Sequence, residues 1–193
     1  MSYVDCVVDS DYEIFTEYPY TIRKKSNKLI LSESLNTKGY YRLNLNRKDY
    51  LKHRVIALQF IPNDDPEHKT EIDHIDTNCL NNHIDNLRWC TPRQNILNRS
   101  STNGIEYEYI EEDDLPDDLI TVYDYGDHTI ESEEITYYFS PSEDKFYFYN
   151  GIRYRVMHIN YAKNGSAYVV MYNTEGKKVK IYYNKFKKLY DLI

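Results

Sequence analysis

The chain has 193 residues, with 24 Lys and Arg against 31 Asp and Glu, and a formal net charge of −7. At face value this charge argues against a nucleic-acid partner, since phosphate binding needs a basic surface. The charge is unevenly distributed, however. Residues 1–100 carry 14 basic and 14 acidic side chains, residues 101–150 carry 1 and 15, and residues 151–193 carry 9 and 2. The whole-chain charge therefore excludes no class of partner.

The sequence argues against a membrane-spanning protein and against a secreted protein. No apolar stretch approaches the roughly 20 residues needed to span a bilayer, and the first residues, MSYVDCVVDSDYEIF, lack the basic and apolar segments of a signal peptide. The three cysteines, Cys6, Cys79 and Cys90, form no CxxC pair. The sequence therefore predicts free thiols in an intracellular protein, in the cytoplasm or the nucleus, and neither a disulfide scaffold nor a zinc ribbon.

The first half of the chain alternates short strand-like runs with turns. The clearest runs are residues 29–31 and 40–45. Residues 52–61 space their apolar side chains as in an imperfect amphipathic helix, which Pro62 ends. We therefore predict short strands followed by one helix.

The next segment has a different pattern. Residues 71–75 and 87–90 are predicted strands. The polar loop between them contains four asparagines: Asn78, Asn81, Asn82 and Asn86. Thr91 and Pro92 are typical of a helix start, since a hydroxyl accepts a hydrogen bond at the N-cap and proline at the first helical position needs no N–H. The predicted order is strand, long loop, strand, helix.

The remaining residues begin with an acidic run, EYEYIEEDDLPDD, within residues 101–118, and such runs are typically solvated linkers. Strands are predicted at residues 120–123 and 134–139. A strand meander with a short basic helix at its end is predicted beyond them, with strands at residues 152–159, 167–172 and 179–183. Lys and Arg interleave with tyrosines in this last block, which is typical of a nucleic-acid surface. The alternative is that these cations neutralise the acidic block.

The residues between Asp73 and Asn95 carry the chemistry. Asp73 and His74 lie at a strand end, and Asn95 lies in the first turns of a helix, 22 residues after Asp73. Oxygen ligands from Asp73 and Asn95 suit a hard divalent cation such as Mg²⁺, which completes its shell with water and substrate phosphate. A neighbouring His can deprotonate a water in line with that phosphate, a role worth about 10²–10⁴ in rate. Together these groups favour phosphodiester hydrolysis.

At these residues the sequence resembles the HNH nucleases, specifically the homing endonucleases of phage and giant-virus type. The stretch DHIDTNCLNNHIDNLRWCTPRQN is similar to the family string NHIDGNKxNNxxxNLEWVTxxxN, and HRVIALQFIPN is similar to the upstream HRLVAxAFIPN. With the preceding strand GYYRLNL, the resemblance covers about residues 39–99. Thr77 stands where the family usually has Gly, and Cys79 where it usually has a polar residue. The N-terminal strands also lack the Gly usual in the family's DNA-docking module.

The resemblance implies a ββα-metal module of the H-N-N type, with Mg²⁺ or Mn²⁺ as cofactor and double-stranded DNA as substrate. It makes His74 the general base, Asp73 and Asn95 the metal ligands, and Asn86 the residue that ties the loop together and orients the His. Because adjacent strand residues point to opposite faces, Asp73 and His74 share a site only if the strand ends or bulges there.

Five basic residues near the motif are candidate DNA contacts: Arg88, Arg93, Arg99, His53 and Arg54. The alternative for His53 is packing on its own helix, and surface helices commonly carry such arginines. An isolated His is most often a satisfied structural side chain. The register of Asp73, His74, Asn86 and Asn95 nevertheless favours catalysis.

We therefore predict an α+β protein with an HNH nuclease module at residues 1–100, whose ββα-metal core is 71–99. An acidic linker at residues 101–118 and a small β-rich module at 119–193 follow. The predicted function is that of a metal-dependent DNA endonuclease encoded by a phage or virus. The alternative is a catalytically silent derivative that binds DNA or protein, as a DNA mimic or a virion-associated protein.

Overall fold

The computed structural model describes residues 2–99, 101–102, 105–130 and 135–193, with the backbone alone described at residues 101, 102 and 105. The chain divides into two compact units, Met1–Asn98 and Arg99–Ile193. Strands outnumber helices in both units, and the predicted α+β class is confirmed. Among the described residues, no helix is long and apolar enough to cross a membrane.

The first unit consists of antiparallel strands and two α-helices. The strands are β1 (Tyr3–Asp5), β2 (Tyr12–Phe15), β3 (Ile22–Lys24), β4 (Ser34–Leu35), β5 (Tyr41–Leu45), β6 (Lys48–Leu51), β7 (Glu71–His74) and β8 (Leu87–Cys90). The helices are α1 (Lys52–Phe60) and α2 (Pro92–Leu97), and a 3₁₀ turn (Ile84–Asn86) precedes β8. The strands form three sheets in the orders β1-β2-β3, β4-β5-β6 and β7-β8.

The core of the first unit packs against α1, which is the predicted helix at residues 52–61. Three consecutive side chains of α1 are completely buried: Val55, Ile56 and Ala57. In β5, Leu43 and Leu45 are buried while the alternate residues are exposed, as expected for a strand with one face on a core. Pro62 follows the C-cap Ile61, because proline cannot continue a helix.

Residues 29–31 differ from the prediction of a strand. Ile30 forms only an isolated bridge with Arg23, and Leu29 and Ile30 are 63% and 56% exposed. Leu29 O accepts a hydrogen bond from Lys24 N at 2.9 Å, which closes a turn. A three-residue apolar run shows too little alternation to separate a turn from a strand.

The β7–β8 hairpin contacts α1 with one face and α2 with the other. Asp73 pairs with Arg88 and His74 with Leu87 in its register. Side chains alternate along β7, so Glu71 and Asp73 face α2. His74 points the other way, towards α1. The predicted strands at residues 71–75 and 87–90 are confirmed.

Helix α2 begins where the sequence predicted. The Thr91 hydroxyl accepts from Gln94 N at 3.1 Å, and Gln94 Oε1 accepts from Thr91 N at 2.9 Å. This reciprocal capping box satisfies two backbone donors that the first turn of a helix otherwise leaves unpaired. The cap fixes the start of α2, and so the positions of the asparagines that follow.

The second unit consists of short antiparallel strands and one helix. The strands are β9 (Ser101–Thr102), β10 (Ile105–Glu106), β11 (Tyr109–Ile110), β12 (Ile120–Thr121), β13 (Asp124–Tyr125), β14 (His128–Thr129), β15 (Thr136–Ser140), β16 (Lys145–Tyr149), β17 (Tyr154–Val156), β18 (Asn160–Tyr161), β19 (Ala167–Tyr172) and β20 (Lys178–Tyr182), and the helix is α3 (Tyr183–Leu189). The two larger sheets have the orders β11-β17-β16-β15-β12 and β18-β19-β20. Residue 134, where one strand was predicted to start, lies outside the described residues.

Part of the segment predicted as an acidic linker belongs instead to a sheet. Strand β11 pairs with β17 at one edge of the five-stranded sheet. The guanidinium of Arg153 lies 3.4 Å from the centre of the Tyr109 ring, and that of Arg155 lies 3.8 Å from the Tyr107 ring. These cation–π contacts hold the tyrosines of the acidic run in place, so its carboxylates are carried on an ordered edge.

Candidate functional site

Asn86 holds together the loop that joins β7 to β8. Its Oδ1 accepts from Asp76 N at 2.9 Å, and its Nδ2 donates to Asp76 Oδ1 at 2.9 Å and to Asn81 O at 2.8 Å. Its carbonyl accepts from Ile75 N at 2.8 Å, directly after His74. These are the hydrogen bonds that a residue tying the loop to the end of β7 must make.

Asp73 lies on the hairpin face that contacts α2. Its Oδ2 accepts from Arg88 Nε at 3.1 Å and from Asn98 Nδ2 at 3.0 Å. The residue is only 6% exposed. Burial raises the pKa of its carboxyl group, although the hydrogen bonds from Asn98 and Arg88 oppose this. Both of these hydrogen bonds use the same carboxylate oxygen, Oδ2.

The two asparagines of the α2 region contact different carboxylates. Asn95 Nδ2 donates to Glu71 Oε2. Asn98, which is 1% exposed, donates from Nδ2 to Asp73 Oδ2 at 3.0 Å and to His74 O at 3.0 Å. Residues three apart on a helix lie on the same side, so the two asparagines meet two carboxylates of one strand face. In hydrogen bonding, Asp73 is thus paired with Asn98, and Asn95 with Glu71.

His74 lies on the opposite face of the hairpin and is 5% exposed. The centre of its ring lies 5.0 Å from that of His53 and 5.9 Å from that of Tyr40. Its Nε2 lies 3.0 Å from Asn82 Oδ1. A neutral imidazole that donates from Nε2 to this amide oxygen keeps the free lone pair on Nδ1.

His53 is buried, which corrects its prediction as a DNA contact. It is 5% exposed, and its ring lies against those of Tyr40 and His74, at 5.1 and 5.0 Å. Burial, reinforced by His74 and Arg54, lowers the pKa of His53 to about 3. The signal for this packing is in the sequence, since His53 precedes the buried Ala57 by one helical turn.

We expected Asp73 and His74 to share a site only if their strand ends or bulges there, and the strand does end there. Strand β7 ends at His74, where Thr77 N donates to His74 O at 2.9 Å and Thr77 adopts a φ of 63°. That left-handed conformation favours glycine, which explains why Gly is the usual residue at this position of the motif. The two side chains still point to opposite faces. Asn98 links them, because it binds the Asp73 carboxylate and the His74 carbonyl.

Arg88, a predicted phosphate contact, is paired with a carboxylate within the hairpin. It lies directly across from Asp73 in the β7–β8 register, and its Nη2 is 3.1 Å from Asp73 Oδ2. Its side chain is 21% exposed. The register of a hairpin places cross-strand partners side by side, so the pair follows from the strand assignment once the two ends of the loop are fixed.

The other predicted DNA contacts are Arg54, Arg93 and Arg99. Arg54 is exposed on α1, with Nη2 3.4 Å from Thr70 O, and Arg93 is half-buried on α2. Arg99 belongs to the second unit, where its carbonyl accepts from the Tyr109 hydroxyl at 2.7 Å. Their contact with DNA stays a prediction.

The donor chemistry on the α2 face fits a divalent cation. Asp73 and Asn95 each offer a hard oxygen, and Glu71 adds a second carboxylate on the same strand face. In the part of the chain that the structure describes, no three His, Cys, Asp or Glu side chains group as a metal cage. Mg²⁺ does not need such a cage, because it is usually held by one or two carboxylates together with waters and substrate phosphates.

The cysteines are free thiols, as predicted. Burial raises the pKa of Cys90 to about 12, and it also raises that of Cys6. A thiol is a metal ligand and a nucleophile only as the thiolate. The raised pKa values therefore support a packing role for these two residues.

Sequence analysis missed three residues of the site. Asn82 was recognised in the loop but not as the partner of His74, and Glu71 and Asn98 were given no role. Each of these contacts depends on tertiary placement. The available signal was spacing: Glu71 is two residues before Asp73 on one strand face, and Asn98 is three residues after Asn95 on one helix face.

Comparisons with known proteins identify relatives of the segment that contains these residues. The family model of the HNH endonucleases matches residues 50–97. HNH endonuclease L245 of Acanthamoeba polyphaga mimivirus, an uncharacterized protein, is 32% identical over 105 residues, which cover 52% of this chain and 31% of that protein. The similarly uncharacterized L247 of the same virus is 38% identical over 81 residues, covering 39% of this chain and 20% of that protein.

A bacterial protein is also similar in sequence to this chain. YosQ of Bacillus subtilis, named as an HNH homing endonuclease derived from the SPbeta prophage, is 35% identical over 76 residues, covering 39% of this chain and 43% of that protein. The chain thus spans less than half the length of the relatives it matches. No solved structure matches it significantly. Residues 50–97, which contain the β7–β8 hairpin and both flanking helices, match the family model of the HNH endonucleases, and the relatives of this segment are named as HNH endonucleases.

Proposed function

We propose that this protein is a divalent-metal-dependent endonuclease that hydrolyses phosphodiester bonds of double-stranded DNA. The observation that supports this most is the placement of Asp73, His74 and Asn95 within one short hairpin and the helix that follows it. All three lie within the segment that matches the HNH family. Asn86 fixes the loop between the strands, so the hairpin presents these groups on a rigid frame.

Asp73 and Asn95 are the proposed metal ligands, through Asp73 Oδ1 and Asn95 Oδ1. The hydrogen bond from Asn95 Nδ2 to Glu71 orients the amide while leaving its oxygen for the cation. Asn98 and Arg88 likewise fix the Asp73 carboxylate through Oδ2. A bound Mg²⁺ or Mn²⁺ would polarise the scissile phosphate and neutralise charge that develops on it.

His74 is the proposed general base. Its Nε2 is occupied by Asn82, so Nδ1 accepts the proton of the attacking water. His53 packs edge-on against the same ring and is uncharged near neutral pH, because its pKa is about 3. It therefore supports the orientation of His74 without adding a positive charge beside the base.

Cleavage of supercoiled plasmid by the full-length protein tests the proposed metal site. Wild type with Mg²⁺ is expected to nick or linearise the plasmid, and removal of the metal with a chelator is expected to stop the reaction. Asp73→Asn keeps the size of the side chain and its acceptor oxygen but removes the charge. We expect it to lower the single-turnover rate by about 10²-fold or more, since metal ligands and their orienting groups carry effects of that size.

Asp64→Asn is the matched control, because Asp64 is an exposed aspartate of the same unit that pairs with Lys69. It should cleave at the wild-type rate. The proposal is wrong if wild type leaves the plasmid intact across Mg²⁺ and Mn²⁺ concentrations, or if Asp73→Asn cleaves as fast as Asp64→Asn.

A further inference from the structure

The basic side chains of residues 151–193 comprise two arginines that lie over tyrosine rings, two lysines with ion pairs, and five lysines for which the described residues offer no ion pair. Arg153 and Arg155 stack on tyrosine rings. Lys177 pairs with Glu175 at 2.7 Å, and Lys187 pairs with Asp144 at 2.7 Å. Five lysines have no recorded ion pair in the described part of the chain: Lys163, Lys178, Lys180, Lys185 and Lys188. Internal neutralisation of the acidic block thus accounts for Lys187 and leaves most of the lysines unexplained.

Two of these lysines line a cleft of about 850 Å³ in the second unit. The turn between β18 and β19 forms one wall and contributes Lys163, and the start of α3 forms the other and contributes Lys185. Among the described residues, none of those that line the cleft is acidic. Both lysines are exposed. A concave surface with cations and no carboxylates favours an anionic ligand, because charge-lined clefts concentrate counter-ions.

An aromatic and basic sheet face adjoins this cleft. Tyr182 belongs to both, since it lines the cleft and ends β20. On the sheet, Tyr182 pairs with Tyr168, with ring centres 5.4 Å apart, and Lys180 Nζ lies 4.8 Å from the Tyr168 ring. Lys178 and Lys180 alternate with the buried residues of β20, so both face outwards. Lysines set among tyrosine rings on an exposed sheet are typical of surfaces that track a nucleic-acid strand.

We infer that the cleft and the adjoining face of β19–β20 bind DNA through its backbone phosphates, and so provide the chain with a second DNA-binding surface besides its HNH domain. The choice of DNA over another polyanion rests on the proposed function of the first unit. Because the two units are one chain, DNA held by the second unit is presented to the first at a raised effective concentration.

The test measures the affinity of the full-length protein for a short labelled DNA duplex and for the matching single strand, by fluorescence anisotropy over a range of salt concentrations. A chelator is present, so binding is read without cleavage, and failure of the nuclease activity leaves the result unaffected. Lys163→Gln/Lys185→Gln should weaken binding at every salt concentration. It should also lower the slope of log affinity against log salt by roughly two, about one for each phosphate that a lysine no longer neutralises.

The matched control is Lys145→Gln/Lys177→Gln, which removes the same charge from the same unit at lysines already paired with carboxylates. It should change the slope little. A cleft-specific loss of affinity on both DNA forms supports phosphate binding to either form, and a loss on one form identifies that form as the ligand. The inference is overturned if wild type binds neither form, if both double variants lose affinity equally, or if the cleft variant binds as wild type.

Discussion

The two faces of the β7–β8 hairpin differ in chemistry, although they alternate along the same four residues of β7. The face towards α2 carries two carboxylates, which meet Asn95 and Asn98. The face towards α1 carries an imidazole, which meets an amide oxygen and the uncharged His53. One strand thus carries carboxylates on one face and an imidazole on the other, and each face packs against its own helix.

The largest effect in this comparison is expected on the face towards α2, from substitutions of its two asparagines. In the plasmid assay, Asn95→Ala should lower the cleavage rate by about 10–10²-fold, because an oxygen donor to the metal is lost. Its thermal midpoint should stay close to that of wild type, since the residue is only half-buried. Ile96→Ala, at the exposed neighbouring position, is the control and should retain full activity.

Asn98→Ala tests whether Asn98 has a structural role, in contrast to the proposed metal ligand Asn95. This side chain is 1% exposed and donates to both Asp73 and the His74 carbonyl. Its loss should lower the free energy of unfolding by about 2–3 kcal/mol, because two buried hydrogen bonds, one of them to a carboxylate, are lost. Equal stability of the Asn98→Ala and Asn95→Ala variants would contradict the division of roles on this face.

On the opposite face, His53→Phe should change the acid stability. A His whose pKa is lowered in the fold binds fewer protons there than in the unfolded chain. Stability is therefore full above the unfolded pKa of about 6.5 and falls as pH drops towards the folded value. Relative to wild type, the variant should gain about 2–3 kcal/mol between pH values of about 7.5 and 4.5.

Denaturant unfolding of wild type and His53→Phe at the two pH values measures this gain. His68→Phe, at an exposed residue paired with Asp65, is the control and should show a far smaller change. A pH-independent difference between wild type and His53→Phe would show that His53 is not held neutral against His74.

The loop at the hairpin end should respond to Asn86→Ala. The change removes three side-chain hydrogen bonds to Asp76 and Asn81, and it should cost about 2 kcal/mol in the free energy of unfolding. Asn78→Ala, which removes an exposed bond to Leu80 N within the same loop, should cost less than half as much. A reversed order of the two costs would show that Asn86 is not the residue that holds the loop.

The smallest effect is expected at the start of α2. Thr91→Ala removes the hydroxyl that accepts from Gln94 N in the capping box. Losing such a cap lowers the free energy of unfolding by about 1 kcal/mol. The exposed Thr37, in the turn before β5, provides the control variant Thr37→Ala. If both substitutions leave the thermal midpoint unchanged, the cap does not contribute to the placement of Asn95.

The fold of the first unit was predictable where the signal was local. Pro62 and the Thr91–Pro92 pair mark helix ends through the backbone chemistry of proline and a capping hydroxyl, and the structure places α1 and α2 there. At residues 29–31 the local signal was too short. The ordered edge around Tyr109 was missed because its order comes from Arg153, which is distant in sequence.

The candidate site could be proposed from the sequence as a set of residues, but its contacts could not. The motif names Asp73, His74, Asn86 and Asn95 as candidates, and strand alternation predicts that the first two side chains point to opposite faces unless the strand ends or bulges there. The pairing of Asn95 with Glu71 depends on how α2 lies on β7, which spacing alone does not determine.

The central claim is that His74 is the base of a metal-dependent DNA hydrolysis, and the single-turnover cleavage rate of His74→Ala tests it most directly. With plasmid and Mg²⁺, the variant should react about 10²–10⁴ times more slowly than wild type, the usual contribution of a general base. His68→Ala, at an exposed histidine of the same unit, should match wild type. Cleavage by His74→Ala at the wild-type rate would contradict the account.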